Sequence, residues 1–302
     1  VWNEPNVRTF WRKDGKHNSD EFAQEYTDLV KAIMPKVLAV DPDAFVMAGS
    51  VSNYWKPSYE WTEACFKKGI LETGIKGWSV HPYGVKTPEE FAIGHRITRN
   101  LLEEYGHGDM PMLNTERGFA IKELKNNEGW SGGDLSKVMA YQGWHFVRQY
   151  LADQMSGVPI TVWYEWDGKD AWTGSAFALF NPEPRPVLTA ANALFDQLAG
   201  YDYVRRIDTG YNLDYVVLYE SESGEKKLVA WTAPPIGETP ENAFPHQVRI
   251  KTNADGAVSS IDVFGEPAEV KKADGGYVLS VSGAPQYVAV PAGASVTAES
   301  LK

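Results

Sequence analysis

Residues 1–200 alternate between short apolar segments and segments whose apolar residues recur at helical spacing, and this alternation constrains the fold more than any other feature. Strands are predicted at 44–49, 78–80, 111–115 and 160–164. The predicted helices begin near residues 19, 59, 87, 134 and 186. Apolar strands separated by helices are typical of a parallel sheet in an α/β architecture. Four strand–helix units and a stub at residues 1–5 amount to roughly half to two thirds of a (β/α)8 barrel of the TIM type.

The pattern changes after Gly200, where the helical periodicity stops. Short β-branched and aromatic runs follow, separated by turn residues such as Ser223-Gly224 and Asp255-Gly256. Seven strands are predicted, at 203–207, 215–219, 227–231, 247–251, 258–263, 277–281 and 286–290. Their spacing favours an antiparallel β-sandwich. We therefore predict two domains, a truncated barrel over residues 1–200 that would be catalytic and a β-sandwich over residues 201–302.

The composition excludes several classes of function. A net charge of −11 argues against binding to a nucleic-acid backbone, and no apolar run reaches the roughly 18 residues that a membrane span needs. The one cysteine, Cys65, excludes a disulfide scaffold, and the six histidines lack metal-ligand spacing, so we predict no metal and no cofactor. Aromatic residues reach 13%, and the faces of tryptophan and tyrosine can stack on the flat apolar faces of sugars.

Two glutamates stand out by their positions. Glu4 ends the opening stub, and Glu116 ends the predicted strand 111–115. The carboxyl ends of parallel strands are where such folds place their active sites. Cleavage of a glycosidic bond needs two carboxyl groups, one protonated to donate to the leaving oxygen and one ionised to attack the anomeric carbon or activate water. Position alone is weak evidence, because 40 acidic residues would place two near strand ends by chance.

The residues around these glutamates strengthen the interpretation. The segment Trp2-Asn3-Glu4-Pro5-Asn6 resembles the fourth-strand motif of clan A glycoside hydrolases, and Leu113-Asn114-Thr115-Glu116-Arg117-Gly118 resembles their seventh-strand motif. Between them, Val80-His81-Pro82-Tyr83 is similar to the sixth-strand segment. Trp163-Tyr164-Glu165-Trp166 is similar to the eighth strand. The order of the four motifs is specific, and the resemblance covers residues 1 to about 200, nearest to the style of families 39 and 5.

The resemblance implies a retaining hydrolase that cleaves β-linked glycosides or plant or microbial polysaccharide with two glutamates. Glu4 would be the acid/base and Glu116 the nucleophile. Asn3 would hydrogen-bond the substrate 2-hydroxyl and strengthen that bond in the transition state. Tyr83 would donate its O–H to Glu116 and favour the ionised carboxylate. His81 would do likewise or bond to the backbone at the strand end, and the sequence leaves both readings open. Arg117, beside Glu116, is interpreted as structural.

Two tryptophans compete to be the platform under the cleaved sugar. Trp163 is preferred, because Trp166 already lies in the following loop. Glu165 is a rival carboxylate that would bind a sugar hydroxyl. Three more tryptophans lie in predicted loops and are candidates for further subsites: Trp55, Trp130 and Trp172.

The chain departs from a complete barrel, because no strand–helix unit precedes the first motif and Val1 opens directly into it. This suggests that the chain begins inside a larger gene product. An open parallel sheet exposes its edges and an apolar face. A preceding polypeptide, a second copy or a rearranged core would cover them, and of these we predict a homodimer or higher oligomer.

Two rival functions remain open. One is a non-catalytic carbohydrate-binding or structural fragment of such an enzyme. The other is an inverting hydrolase, which places its carboxyl groups about 6.5–9.5 Å apart, against about 5–5.5 Å in a retaining enzyme.

Overall fold

The structure is a computed structural model that describes residues 1–121, 124, 134–167, 179, 183–238, 243–253, 256 and 258–302. The chain forms two compact units. The first unit comprises Val1–Val85, Glu90–Arg117 and Ala152–Trp163, and the second comprises Lys86–Glu89, Gly118–Leu151 and Tyr164–Lys302. The boundary after residue 200 divides two sequence patterns, and as a domain boundary it stays a prediction. Among the described helices, none is long and apolar enough to cross a membrane.

The first unit is built on a parallel sheet of four strands in the order β1-β2-β3-β4. The strands are β1 (Met47–Ser52), β2 (Gly77–His81), β3 (Met112–Arg117) and β4 (Thr161–Trp163). Helix α1 (Asp20–Val40) precedes β1, and α2 (Lys56–Lys67), α3 (Phe91–Glu104) and α4 (Leu135–Met155) follow β1, β2 and β3 in turn. Helix α4 contributes only its last residues to this unit. This is the predicted part of a (β/α)8 barrel.

Helix α1 shows how the sequence produces this packing. The Ser19 hydroxyl caps the helix by accepting a hydrogen bond from the Phe22 amide at 3.2 Å. Its apolar residues recur every three or four positions, so one face is buried. Tyr26, Val30 and Met34 on that face join a cluster with Trp61 of α2 and Trp78 of β2.

Two elements differ from the predicted pattern. Strand β1 begins at Met47 rather than at residue 44, because its partner β2 begins at Gly77, the residue paired with Met47. Residues 1–5 form no strand, although the Val1 amino group donates to the Met47 carbonyl at 3.0 Å. The chain turns at Glu4, whose carbonyl accepts from the Val7 amide at 2.9 Å, and this turn ends any pairing along β1.

The second unit contains most of α4, helix α5 (Pro186–Leu198) and two antiparallel sheets. One sheet has the order β10-β9-β13-β7-β6-β5, and the other has the order β11-β12-β8-β14. Their strands are β5 (Tyr201–Ile207), β6 (Asp214–Ser221), β7 (Lys226–Thr232), β8 (His246–Thr252), β9 (Ser259–Asp262), β10 (Pro267–Ala268), β11 (Val270–Ala273), β12 (Gly276–Val281), β13 (Gln286–Val290) and β14 (Val296–Ser300).

The two sheets form the predicted β-sandwich. Val216 and Leu228 from one sheet and Val248 and Leu279 from the other lie in one buried apolar cluster. The sequence pattern missed β10, β11 and β14. β10 is only two residues long, β11 is largely exposed and β14 buries only Val296, so apolar alternation could not reveal these three strands.

Candidate active site

The site begins where β2 and β3 end, side by side. The register pairs Val80 of β2 with Asn114 of β3, so His81 and Thr115 lie at one level just beyond this pair. Nε2 of His81 is 3.0 Å from the Thr115 hydroxyl. Glu116 is the next residue along β3. The parallel sheet therefore brings His81 and Glu116 to the same edge, because the carboxyl ends of adjacent parallel strands lie together.

Glu4 reaches this edge from the opening loop. Glu4 is only 6% exposed, and its Oε1 lies 3.1 Å from Nδ1 of His81. Its backbone has φ = 43°, in the left-handed region that non-glycine residues seldom occupy. The loop thus holds a buried carboxyl group against the end of β2 in an uncommon backbone conformation.

Glu116 shares these surroundings. The Tyr83 hydroxyl donates to its Oε1 at 3.1 Å, and Nδ1 of His81 lies 3.8 Å from its Oε2. One carboxylate oxygen of Glu4, one of Glu116 and a ring nitrogen of His81 all lie within 4.8 Å of one another. The Glu116 side chain keeps 26% of its surface exposed, so solvent or a ligand can reach it.

A chain of hydroxyl groups continues from His81 into the sheet. Thr115, bonded to Nε2 of His81, makes a hydrogen bond to Ser79, whose hydroxyl lies 3.3 Å from that of Ser50. A bulge in β1 between Gly49 and Val51 brings Ser50 to this position. Each hydroxyl can donate or accept, so the chain can adjust to either neutral tautomer of the imidazole.

Tyr83 is held in its neutral, donating form. Its burial, and then the negative charge of Glu116, raises the pKa of the Tyr83 hydroxyl well above its ordinary value. The Arg117 guanidinium lies over the Tyr83 ring, 4.7 Å from its centre, and donates to the Val85 carbonyl at 3.4 Å. Arg117 therefore packs against the ring of Tyr83, the residue whose hydroxyl contacts Glu116.

The other predicted residues occupy various positions. Asn3 is exposed beside Glu4. Trp163 is buried at the end of β4, where it pairs in register with Arg117. Glu165 is half-buried and Trp166 is 63% exposed, and both belong to the second unit.

Of the three tryptophans that are candidates for further subsites, one lies in the described part of the chain. Trp55 is half exposed immediately before α2. Trp130 and Trp172 lie outside the described residues.

Sequence reasoning missed several polar residues that hold this edge together. Thr115 and Ser79 link His81 to the sheet, and Asn6 bonds to Ser52 at the end of β1. Asn6 lies inside the motif that contains Glu4, so its position in that motif was the available signal. Glu4, His81 and Glu116 also form the one cluster in the described part of the chain with enough ligand atoms to hold a metal ion.

No protein-family model and no curated protein matches this chain. Solved structures do resemble it. A family 39 glycoside hydrolase from the gut symbiont Bacteroides cellulosilyticus WH2 has a TM-score of 0.72 at 21% identity, over 96% of this chain and 57% of that one. A family 51 α-L-arabinofuranosidase from Bifidobacterium longum has a TM-score of 0.59 at 11% identity, over 95% of this chain and 66% of that one.

A glucosidase from Croceicoccus marinus has a TM-score of 0.54 at 14% identity, over 95% of this chain and 67% of that one. The chain thus has the fold of these three enzymes over the part of each that it covers. It spans between 57% and 67% of the length of these three structures. Because the sequence identities are 11–21%, the structural likeness establishes the fold alone.

Proposed function

We propose that this chain is a retaining glycoside hydrolase, or part of one, that cleaves β-linked glycosides or polysaccharide by double displacement. The observation that carries the proposal is the approach of the Glu4 and Glu116 carboxylate oxygens to within 4.8 Å around His81. Retaining enzymes hold their two carboxyl groups about 5–5.5 Å apart, and two groups with one oxygen each within 4.8 Å of the other can meet that separation. An inverting enzyme separates the two carboxyl groups by about 6.5–9.5 Å to admit a water molecule, so the close approach of the two oxygens favours the retaining mechanism.

In the first step, an oxygen of ionised Glu116 attacks the anomeric carbon while protonated Glu4 donates to the glycosidic oxygen. The new bond joins the sugar to Glu116, and the bond to the leaving group breaks. The Tyr83 hydroxyl, 3.1 Å from Oε1 of Glu116, supports the ionised carboxylate and orients its other oxygen.

In the second step, Glu4 takes a proton from water, and the water oxygen displaces Glu116 from the anomeric carbon. Glu4 therefore alternates between protonated and ionised forms. When Glu4 is ionised, Nδ1 of His81 donates to it and Nε2 accepts from Thr115. When Glu4 is protonated, the proton that it gives to the leaving group lies on its other oxygen, so Oε1 can keep accepting from Nδ1 of His81 throughout the cycle.

The remaining residues would bind the sugar. We propose that Asn3 hydrogen-bonds the 2-hydroxyl, since it is exposed beside Glu4. Trp163 would form the platform under the cleaved sugar. The sugar-binding roles of Trp166 and Glu165 stay predictions from the sequence, since both residues belong to the second unit.

One alternative is a non-catalytic carbohydrate-binding fragment. It is favoured by the coverage, since the chain spans 57% of the length of the family 39 structure. Turnover of a panel of aryl β-glycosides, with an aryl α-L-arabinofuranoside included, separates the two. The enzyme releases the aryl group and depends on Glu4 and Glu116, whereas the fragment binds without release.

The same panel with a chelator tests a metal-dependent reaction. We expect no loss of activity. A loss that added metal restores would indicate instead that Glu4, His81 and Glu116 hold a cation.

We further propose that a second copy of the chain covers the apolar surface that the sheet leaves open. Phe45, just before β1, and Ile160 and Val162, at β4, are each about half exposed at the two edges of the sheet. Burying them would recover free energy at about 25 cal/mol per Å². Sedimentation at micromolar concentration should find a dimer or higher oligomer, and a stable monomer would contradict this part of the proposal.

A further inference from the structure

Asn6, two residues after Glu4, is fully buried and makes an unusual set of hydrogen bonds. Its side-chain Oδ1 accepts from the Ser52 amide at 3.0 Å, and its Nδ2 donates to the Ser52 carbonyl at 3.1 Å. The carboxamide thus bonds to both backbone groups of one residue, as a neighbouring strand would. Ser52 is the last residue of β1, so this pair of hydrogen bonds connects the opening loop to the carboxyl end of that strand.

The contact leads directly back to Glu4. Ser52 is paired in register with His81, and His81 is the residue that contacts the Glu4 carboxyl group. A closed circuit therefore runs from Glu4 through one turn to Asn6, across to Ser52, along the sheet to His81 and back to Glu4. A closed circuit of this kind fixes the distance between the Glu4 side chain and His81 from both ends.

Two further residues hold Asn6 in one orientation. Nδ2 of Asn6 also donates to Oδ1 of Asn18 at 2.9 Å, and the Asn18 amide donates to the Asn6 carbonyl at 2.8 Å. The Ser58 hydroxyl donates to the Ser52 carbonyl at 2.8 Å. Because Nδ2 faces two acceptors and Oδ1 faces a donor, a carboxylate of the same shape would set one oxygen against two others.

The backbone of Glu4 has a conformation that this circuit of contacts can stabilise. At φ = 43° the residue lies in the left-handed region, which costs free energy for a side chain other than glycine. Such a conformation persists only when the surroundings hold it. Asn6 lies inside the turn closed by the Val7 amide and the Glu4 carbonyl, and it is the residue of that turn that is bonded to β1.

We infer that Asn6 is a positioning residue for Glu4, which keeps the Glu4 carboxyl group against His81 where it can protonate the leaving group. This inference rests on the proposed role of Glu4 as the acid/base. It predicts a specific kinetic defect, because proton donation matters most when the leaving group is a poor one.

The test compares aryl glycosides whose phenol leaving groups are good or poor. We expect Asn6→Ala and Asn6→Asp to lower kcat/KM for the poor leaving groups by roughly 10- to 100-fold, as displacement of a catalytic group by about 1 Å does. For activated leaving groups the loss should be several-fold smaller, and azide should raise the turnover of those substrates. Glu4→Ala, measured alongside, should show the same pattern more strongly.

Tyr26→Phe is the matched control, since it removes another buried hydrogen bond to the backbone of β1, from the Gly49 amide at 2.9 Å, without touching Asn6 or its partners. This control variant should lower kcat/KM by the same factor for all substrates. If the Asn6 variants also scale all substrates equally, Asn6 is only structural and the inference is overturned. If both Asn6 variants fail to fold, Asn18→Gly decides, because it removes the Asn6 partner while glycine suits the positive φ of position 18.

The Glu4→Ala result separates the two levels of the account. A leaving-group dependence in Glu4→Ala without one in the Asn6 variants overturns this inference alone. No dependence in Glu4→Ala overturns the acid/base role and the inference with it.

Discussion

The two units each bury a glutamate, and the partners of those glutamates differ. In the second unit, Nε of Arg148 donates to Oε1 of Glu89 at 2.7 Å, and a second guanidinium nitrogen donates to Oε2. Trp231 adds a donor at 2.8 Å. Burial by itself raises the pKa of Glu89, but the charge and hydrogen bonds of Arg148 outweigh it, so the pKa is lowered. Glu89 is therefore locked in its ionised form.

In the first unit, Glu4 and Glu116 share the imidazole of His81, and Glu116 also accepts from the Tyr83 phenol. An imidazole can donate or accept at either nitrogen, whereas a guanidinium only donates. The comparison teaches that burial alone does not mark a functional carboxylate. A bidentate arginine holds both oxygens of Glu89 in one charge state and so contributes to stability, whereas His81 contacts one oxygen of Glu4 and leaves the carboxyl group able to exchange a proton.

The largest expected effect is that of Glu116→Ala. Without the nucleophile no glycosyl-enzyme forms, so kcat should fall by roughly 10⁴-fold or more. Steady-state turnover of an aryl glycoside measures this, with the exposed Glu60→Ala as the control. Near wild-type turnover would place the nucleophile elsewhere, and Glu165 would become the next candidate.

The next effect is that of Glu4→Ala. Loss of a general acid/base should lower kcat by about 10²–10⁴-fold. Azide should partly restore turnover of an activated glycoside, because a small anion can attack the glycosyl-enzyme without base catalysis. Product analysis should then find a glycosyl azide. Its absence, with full activity on poor leaving groups, would remove Glu4 from the mechanism.

Glu89→Gln should separate stability from catalysis. Breaking a buried pair leaves the Arg148 charge uncompensated, so the free energy of unfolding should fall by about 3–5 kcal/mol. Because the pKa of Glu89 is lower in the folded state, its stabilisation is present above the unfolded value of about 4.3 and is lost as the pH falls through the folded value. Urea unfolding from pH 7 to pH 3 should therefore be less pH-dependent in the variant.

The matched control for Glu89→Gln is Glu266→Gln, an exposed position in the same unit. Turnover per folded molecule should not change in either variant. Equal stability of the two variants would show that the Glu89–Arg148 pair contributes little to folding.

The smallest expected effect is that of Tyr83→Phe. Removal of one hydrogen bond to ionised Glu116 should lower kcat by about tenfold. It also disfavours the ionised form, so the acidic limb of the pH–rate profile should move to higher pH. A profile unchanged from that of wild type would mean that the Tyr83 contact does not act on the ionisation of Glu116.

The sequence predicted the parallel sheet and the sandwich because both depend on local periodicity, and its motifs pointed to Glu4 and Glu116. It could not choose the partner of His81, which follows from the path of the opening loop and lies nearer to Glu4 than to Glu116. The bond between Asn6 and Ser52 joins residues 46 positions apart and has no local signal. The start of β1 was displaced for a similar reason, since its partner strand sets it.

The most direct test of the central claim is to trap the covalent intermediate. In Glu4→Ala, an activated 2-fluoro glycoside should form a glycosyl-enzyme faster than water removes it. Mass spectrometry of the intact protein and then of its peptides should find one sugar, attached to Glu116. An adduct on another residue, or no adduct together with a first product of inverted configuration, would contradict the account.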